Sequence, residues 1–336
     1  MNEDLDHRSI TMKAIRYHSY GSPAVIKLQD VEKPEVGDGE VLVRVRAASV
    51  NAGDWHLLRG LPYIFRAQAG LTRPKSHVLG ADLAGEVVAV GRSVTVLQPG
   101  DEVYGFCRGA FAEYVALPAE GFVVRKPAGL TFEEAAAVPV AAVTALQALR
   151  DKGQVRAGQK VLVNGAGGGV GPFAVQIAKA LGAEVTGVCG AGNVEMVRSI
   201  GADHVVDYTK EDFTRSGARY DVILDNVANR SLRDCRRVLA PRGIYLHNSG
   251  DKGGRWVGVM TRIIHVMLSS LFVRQNLVAG HVADENADDL VALRDLLETG
   301  KIRPVVDRTH PLSEVPEAIA YIERGHARGK VVITME

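Results

Sequence analysis

The chain has 336 residues, of which 46% are hydrophobic and 24% charged, and its formal net charge is +1. That length exceeds one ordinary compact core, so two domains are expected, and the balance is that of a soluble globular protein. Near-neutral charge gives no large single-sign field, which excludes bulk electrostatics as a reason to expect nucleic acid or an acidic membrane surface as partner.

Residues 1–10 are polar and acidic, without the apolar stretch of a signal peptide, and are expected to form a loose leader before a strand that starts near Met12. Runs 24–28, 41–46 and 86–90 are rich in β-branched residues. Turn residues such as Gly37-Asp38-Gly39, Gly91 and Pro99-Gly100-Asp101 separate them, which predicts a rolled β unit. The character changes near Thr131. Thr131 with Glu134 makes a capping-box pattern ahead of an alanine-rich helix over 135–149, which Pro139 should interrupt or kink.

From Lys160 onward apolar strands alternate with helices: strand 161–163, helix 173–181, strand 184–188, helix 194–200, then strands 204–206, 221–224 and 243–247. This rhythm predicts a parallel sheet covered by helices on both faces. Residues 256–273 come nearest to the ~18 apolar residues of a membrane span. Arg262, His265, Ser269 and Ser270 interrupt them, so no span is expected; an amphipathic helix packed on the protein or a partner subunit is. The tail turns β again at 304–307 and 330–334, around a helix over 313–325 with Ser313 as its N-cap. The tail is more like the first unit than the second. The fold class is therefore α/β: a doubly wound parallel-sheet domain, 136–303, inserted in a β-rich domain formed by 12–135 and 304–336.

Cys107, Cys189 and Cys235 lie far apart, with no CxxC pair. A disulfide framework or an all-cysteine zinc site is not expected, and a reducing compartment, the cytoplasm, is.

The sharpest motif runs Val161-Leu162-Val163-Asn164-Gly165-Ala166-Gly167-Gly168-Gly169-Val170-Gly171. A strand precedes it and a helix follows, the context a dinucleotide fingerprint needs. Small residues let the backbone approach a pyrophosphate, and the N–H groups of the helix start face its charge. An NAD site places Asp or Glu at the end of the second strand, about 20 residues on, to hold the ribose 2′-OH. Here that stretch reads Val188-Cys189-Gly190-Ala191-Gly192-Asn193; Glu184 stands at the strand's start and Glu195 in the next helix. Without a carboxylate to repel a 2′-phosphate, NADPH is the expected cofactor. Asn193 can donate to that phosphate; Arg198 and Lys210 are nearby cations, or simply solvated surface. Asn226 follows strand 221–224, at the carboxyl edge where open α/β sheets bind ligands.

Six ordered segments carry a resemblance: 48–55 (Ala-Ser-Val-Asn-Ala-Gly-Asp-Trp), 79–85 (Leu-Gly-Ala-Asp-Leu-Ala-Gly), 99–105, the glycine loop with 174–179, 201–208 and 325–330. In these the chain resembles the medium-chain dehydrogenase/reductase superfamily, in its zinc-independent NADPH:quinone oxidoreductase (zeta-crystallin-like) branch. The resemblance implies a Rossmann domain inserted in a GroES-like one. It places Asn51, Ala81 and Pro139 where zinc-dependent relatives hold their catalytic metal. Neither Asn51 nor Ala81 offers the thiolate, imidazole or carboxylate that zinc wants, and only Cys107 stands where relatives have a cysteine-rich structural loop. A makeshift site from Asp54, His56, Asp82 and Cys107 is read as hydrogen bonding and packing, so no zinc is expected. Without a Lewis acid to make an alkoxide, an already electron-poor acceptor is the expected substrate. The implied reaction is hydride transfer from NADPH to a quinone or related conjugated carbonyl compound. An enone or enal double-bond reductase is the alternative, and an NADPH-binding regulatory or structural protein with little turnover is a second.

The resemblance also implies roles. Asn51 would hydrogen-bond the ribose beside the nicotinamide, or else cap the turn that follows. Thr144 would meet the nicotinamide, and Gly168, Gly169, Val170 and Gly171 the pyrophosphate. Tyr208 would lie beside the adenosine phosphate. Lys330 would place its charge on the phosphates, or be an ordinary surface lysine. Tyr63, in a loop that approaches the acceptor, would protonate it or wall the pocket. Gly190-Ala191-Gly192 replaces the Ser or Thr common in relatives, which removes donors to a 2′-phosphate and leaves room for dual cofactor use. A homodimer is expected, joined near 256–273 and 277–281.

Overall fold

The computed structural model describes residues 11–248, 254–258, 260–280, 283–325 and 327–335. The expected leader, His281 and His326 lie outside these. In chain order the first seven strands are β1 (Thr11–Arg16), β2 (Lys27–Glu32), β3 (Glu40–Val50), β4 (Asp82–Val90), β5 (Glu102–Phe106), β6 (Tyr114–Pro118) and β7 (Val123–Arg125). Six follow in the middle: β8 (Lys160–Asn164), β9 (Glu184–Cys189), β10 (His204–Asp207), β11 (Tyr220–Asp225), β12 (Leu239–His247) and β13 (Asn276–Val278). The last two are β14 (Val306–Pro311) and β15 (Lys330–Thr334).

β3 shows how its sequence sets its place. Between Val43 and Ala47 buried and exposed residues alternate, the period-2 signature of a sheet with one wet face. From Ala47 to Val50 every residue is buried, because here β3 runs between β4 and β15 under covering helices. β3, β4, β5, β7, β14 and β15 belong to one sheet with β6 paired to β3, so the chain's last strands complete a sheet begun by its first.

The middle strands form a separate six-stranded sheet in the order β10-β9-β8-β11-β12-β13, and every pair is parallel. The order reverses between β8 and β11, whose carboxyl ends open a crevice at the switch point.

The helix Pro139–Gln147 joins the two units. Ala141, Ala142, Val143, Ala145 and Leu146 are buried, and the same core holds Tyr104 and Phe106 of β5 with Val161, Val163, Val222 and Leu224 of the parallel sheet. Tyr104 donates its hydroxyl to the carbonyl of Leu290 at 2.8 Å across this seam. The capping box forms: Glu134 N donates to Thr131 Oγ1 at 3.2 Å, and Thr131 N to Glu134 Oε2 at 2.9 Å. The helix it starts ends at Ala136, and a new one begins at Pro139, whose missing N–H costs nothing in a first turn.

Several expected elements shift. Residues 24–28 are not a strand: Pro23–Val25 is a 3-10 turn, and the strand begins at Lys27. The strand expected at 304–307 starts at Val306. Ser313 caps no helix; it lies within the 3-10 turn Leu312–Glu314, and the helix Val315–Glu323 starts after it with Pro316 in its first turn. The helix expected over 256–273 is two pieces, Gly254–Val257 and Met260–Ser270, with Gly258 between them at φ 47°. The second piece buries only Val266 and turns Ile264, Met267 and Leu268 outward, followed by exposed Leu271 and Phe272.

Candidate active site

A buried polar junction stands where the two units meet. Ser49 lies next to the end of β3, and Asn51 precedes the helix Ala52–Arg59. Asp82 opens β4, Val140 lies in the first turn of the helix Pro139–Gln147, and Lys330 opens β15. Asp82 is fully buried. Its Oδ2 accepts from Ser49 Oγ at 2.6 Å, Asn51 Nδ2 at 2.9 Å and Lys330 Nζ at 3.2 Å, while Oδ1 accepts from Val140 N at 2.9 Å. Lys330 Nζ also donates to Asn51 Oδ1 at 2.6 Å. A buried carboxylate is tolerated only when paired and hydrogen-bonded, and this one is both. The two charges leave the Asn51 amide one orientation, oxygen to the ammonium and nitrogen to the carboxylate. Its side chain is therefore turned to this network, while its backbone N–H donates to Asp54 Oδ2 at 2.8 Å.

Asp54 braces the same corner, accepting from Gly80 N on its other oxygen at 2.8 Å. Burial pushes its carboxyl up to about 6; the two backbone donors oppose that, and the charge of Asp82 adds to it. Thr144 lies one helical turn beyond Val140 and donates its hydroxyl to the Val140 carbonyl at 2.6 Å.

These donors do not fit zinc. Asn51, Ala81 and Pro139 supply no ligand of the usual kind, Asp82 is committed to four donors, and an ammonium sits where a second positive charge would have to enter. Cys107 N donates to the Ala81 carbonyl at 2.9 Å, and His56 Nδ1 lies 3.1 Å from the Leu61 carbonyl oxygen. Among the described residues no group of three or more His, Cys, Asp or Glu could hold a metal ion. The three cysteines are free.

The glycine loop adjoins this junction. A methyl group on Gly171 would lie 2.2 Å from the Gly165 carbonyl oxygen, so only glycine lets the loop close onto the helix Gly171–Ala180. On Gly168 and Gly169 it would find ordinary contacts, 3.7 Å from the Gly165 oxygen and 3.6 Å from Lys330 Cδ. The Lys330 side chain thus passes beside Gly169 and ends at Asn51. At 2% exposure it is no surface lysine, and its ammonium is held at the Asn51 end.

Asn193 lies across the loop: a methyl on Gly167 would stand 2.5 Å from its Nδ2, and its Oδ1 is buried without a partner among the described residues. Asn226 donates its N–H to the Asn164 carbonyl at 3.1 Å and accepts from Asn248 Nδ2 at 2.7 Å, at the switch point of the sheet. Tyr208 is half exposed. Arg198 pairs with Glu195 at 2.9 Å, and Lys210 with Asp207 at 3.6 Å.

The structure thus brings Asn51, Thr144, Lys330 and the glycine loop to one junction between the two units. Tyr63 has other neighbours. It lies in the 3-10 turn Tyr63–Phe65, edge-on to Trp256 at 5.2 Å between ring centres, with the Arg66 guanidinium 4.6 Å over its face. Sequence reasoning gave no role to Ser49, which bonds Asp82, or to Trp256; it read Asp82 only as hydrogen bonding and packing, and the resemblance implied that 328–330 reaches back to the cofactor. Only the small-residue setting of Asp82, Gly80-Ala81-Asp82, hinted at a backbone packed too closely for an idle carboxylate.

Residues 37–128 match the family described as alcohol dehydrogenase GroES-like domain. Residues 200–333 match the family described as zinc-binding dehydrogenase. The chain is 34% identical to the mitochondrial NAD(P)H oxidoreductase RTN4IP1 of Mus musculus, an alignment covering 98% of this chain and 90% of that protein. It is 35% identical to the 2-methylene-furan-3-one reductase of Solanum lycopersicum, over 96% of this chain and 79% of that protein. Among solved structures, the quinone oxidoreductase from Coxiella burnetii superposes with a TM-score of 0.83 at 28% identity, covering 97% of this chain and 100% of that one.

Proposed function

This chain belongs to the medium-chain dehydrogenase/reductase superfamily, in its quinone oxidoreductase branch, and from that premise we propose that it reduces a quinone or a related conjugated carbonyl compound with NADPH and without zinc. The observation that carries the reading is the Lys330–Asn51–Asp82 network: a buried ammonium stands where zinc-dependent relatives keep their metal, beside a dinucleotide loop. NADPH supplies the hydride; the acceptor takes it with one proton, leaving NADP⁺ and the reduced product.

The chain's residues bind, orient and exclude water. Gly168, Gly169, Val170 and Gly171 offer backbone to the pyrophosphate. Asn51, locked between a cation and an anion, presents its amide edge to the ribose beside the nicotinamide at no ordering cost on binding. Thr144 and Asn226 flank the nicotinamide end from the seam helix and the switch point. Asn193 and Tyr208 line the adenosine end, and the stem of Lys330 passes beside Gly169 while its ammonium orders Asn51. Tyr63 packs edge-on against Trp256, and this aromatic pair is suited to wall a flat acceptor. The split at 12–135 with 304–336 against 136–303 places the cleft between a substrate-bearing and a cofactor-bearing unit.

The reading is tested by following NADPH and NADH oxidation separately with a panel of quinones and short enones, with and without a chelator. NADPH-dependent turnover that survives the chelator is expected. Loss of activity on chelation would overturn the metal-free chemistry, and tight NADPH binding without turnover would favour a binding protein. An enone as best acceptor would place the enzyme with double-bond reduction, a reading favoured by the name of the tomato relative.

The outward apolar face of the helix Met260–Ser270 lies beside the edge strand β13, and an exposed apolar patch of this kind supports a homodimer. Light scattering that showed a monomer at micromolar concentration would refute it. Among the described residues no helix is long and apolar enough to cross a membrane. Cytoplasmic placement rests on the cysteines alone, and one relative is by name mitochondrial.

A further inference from the structure

We propose that the face carrying Tyr63 and Trp256 docks on a membrane surface rich in anionic phospholipid. The docking is a property of this surface alone. Its consequence, that a lipid-dissolved acceptor reaches the aromatic pair from the bilayer, rests on the reductase reading.

The apolar part of the face comes from two distant segments. Ile64 and Phe65 are exposed beside Tyr63 in the 3-10 turn Tyr63–Phe65. Trp256, 75% exposed, stands edge-on to Tyr63 from the segment after β12. A methyl on Gly258 would lie 2.9 Å from Pro62 Cβ, so the strip 254–258 is seated against this turn. Leu71, 74% exposed, follows a glycine that is tied back to the same place. The Tyr20 hydroxyl donates to the Gly70 carbonyl at 2.8 Å, and the Arg66 guanidinium lies 4.3 Å over the Tyr20 ring and 4.6 Å over that of Tyr63. Single exposed apolar residues are ordinary, but large ones gathered in one place mark an interaction surface.

Charge decides what this surface meets. From Trp55 to Ala81 the chain has no acid, and the acids that bound the stretch, Asp54 and Asp82, are buried and hydrogen-bonded within the protein. The same stretch carries Arg59, Arg66, Arg73 and Lys75. Arg59 pairs with Glu323 at 2.8 Å. Arg66 donates to the carbonyls of Gly60 at 2.9 Å and Arg59 at 3.1 Å, and meets no carboxylate among the described residues. Arg73 and Lys75 are exposed, and among the described residues neither side chain has a hydrogen bond or ion pair. A second copy of this face would meet it with like charge, and a protein partner would have to match its acids and apolar groups to these positions. An anionic bilayer supplies both without matching: phosphates at its surface for the cations, and hydrocarbon beneath for Phe65, Leu71 and Trp256. The near-neutral charge of the whole chain does not oppose this, because salt screens distant charges and only cations at the contact count.

The test sediments the full chain with vesicles of phosphatidylcholine alone and of phosphatidylcholine with phosphatidylglycerol. The unaltered chain is expected to partition about tenfold or more in favour of the anionic vesicles, and to leave them in high salt. Arg73→Gln with Lys75→Gln should cut that partition about thirtyfold, the loss of two cations held near the surface. Leu71→Ser should weaken it about tenfold by removing apolar area from the contact. Arg156→Gln with Arg242→Gln removes the same charge from a hollow at the amino ends of the parallel strands, at the edge opposite the glycine loop, and should stay within about twofold of the parent. The replaced residues are all exposed, so each variant should melt with the parent. Equal binding of both vesicles, or full binding by Arg73→Gln with Lys75→Gln, overturns the proposal. Binding to neither vesicle also overturns it and leaves the apolar face to a protein partner. A chain that docks as expected yet oxidises NADPH with no quinone or enone refutes the reductase reading and leaves the docking in place.

Discussion

Replacing Lys330 by Met removes a positive charge from a place water does not reach. The Lys330 and Asp82 side chains are 3% and 0% exposed, with their charged atoms 3.2 Å apart. Breaking a buried pair from one side costs about 3–5 kcal/mol, because the other charge stays buried. Three donors to Asp82 remain, from Ser49, Asn51 and Val140, which places the expected loss at the low end, about 3 kcal/mol. Urea unfolding of parent and Lys330→Met at pH 8 measures it. The pair Lys330→Met with Asp82→Asn should recover stability at pH 8. A loss under about 1 kcal/mol, or no recovery in the double variant, would refute the argument, since an uncompensated buried charge predicts neither.

Gly171→Ala drives a methyl to 2.2 Å from the Gly165 oxygen and 2.6 Å from the Ala166 backbone, neither of which can yield. It should cost about 2–3 kcal/mol and most of the dinucleotide affinity, whereas Gly168→Ala, with its nearest contact at 3.7 Å, should melt within a few degrees of the parent. Asp54, pushed up to about 6 from an ordinary 3.8, binds its proton more tightly folded than unfolded. It therefore costs the protein about 3 kcal/mol above pH 6, and that cost is relieved as pH falls from about 6 to about 4. Asp54→Asn should lose this pH-dependent part, readable in unfolding free energies across that window. Tyr63→Phe keeps the ring against Trp256 and Arg66, so kcat should stay within about twofold if the residue is a wall, while Tyr63→Ala should raise the acceptor KM. A large fall in kcat for Tyr63→Phe would make the phenol the proton donor.

Features encoded over a few neighbouring residues were legible in the sequence. The glycine loop announced itself because a strand, small residues and a helix must be contiguous to close it. Thr131 and Glu134 start a helix because their bonds span three residues, and Pro139 starts another because its missing N–H costs nothing there. The missing zinc ligands could be read from residue identity alone. The outward apolar face at 264–272 could not, because periodicity shows that a helix has an apolar side and does not say which side the rest of the protein covers.

What meets across the cleft was decided by tertiary structure. Lys330 and Asn51 are 279 positions apart in the chain. They touch because β15 lies antiparallel to β3 with Val331 opposite Val50 and Val332 opposite Ser49. A slip of one residue would turn Lys330 to the other face of the sheet and leave Asp82 unpaired. The same register brings Gly329 to Gly167 and Arg328 over Gly192. Residue types along the chain therefore determined the dinucleotide-type glycine loop and the lack of the usual zinc ligands at Asn51 and Ala81, since both depend on groups present or absent in a short stretch. The pairing of Lys330 with Asn51 and Asp82 was placed only by long-range strand pairing, whose register no local pattern contains.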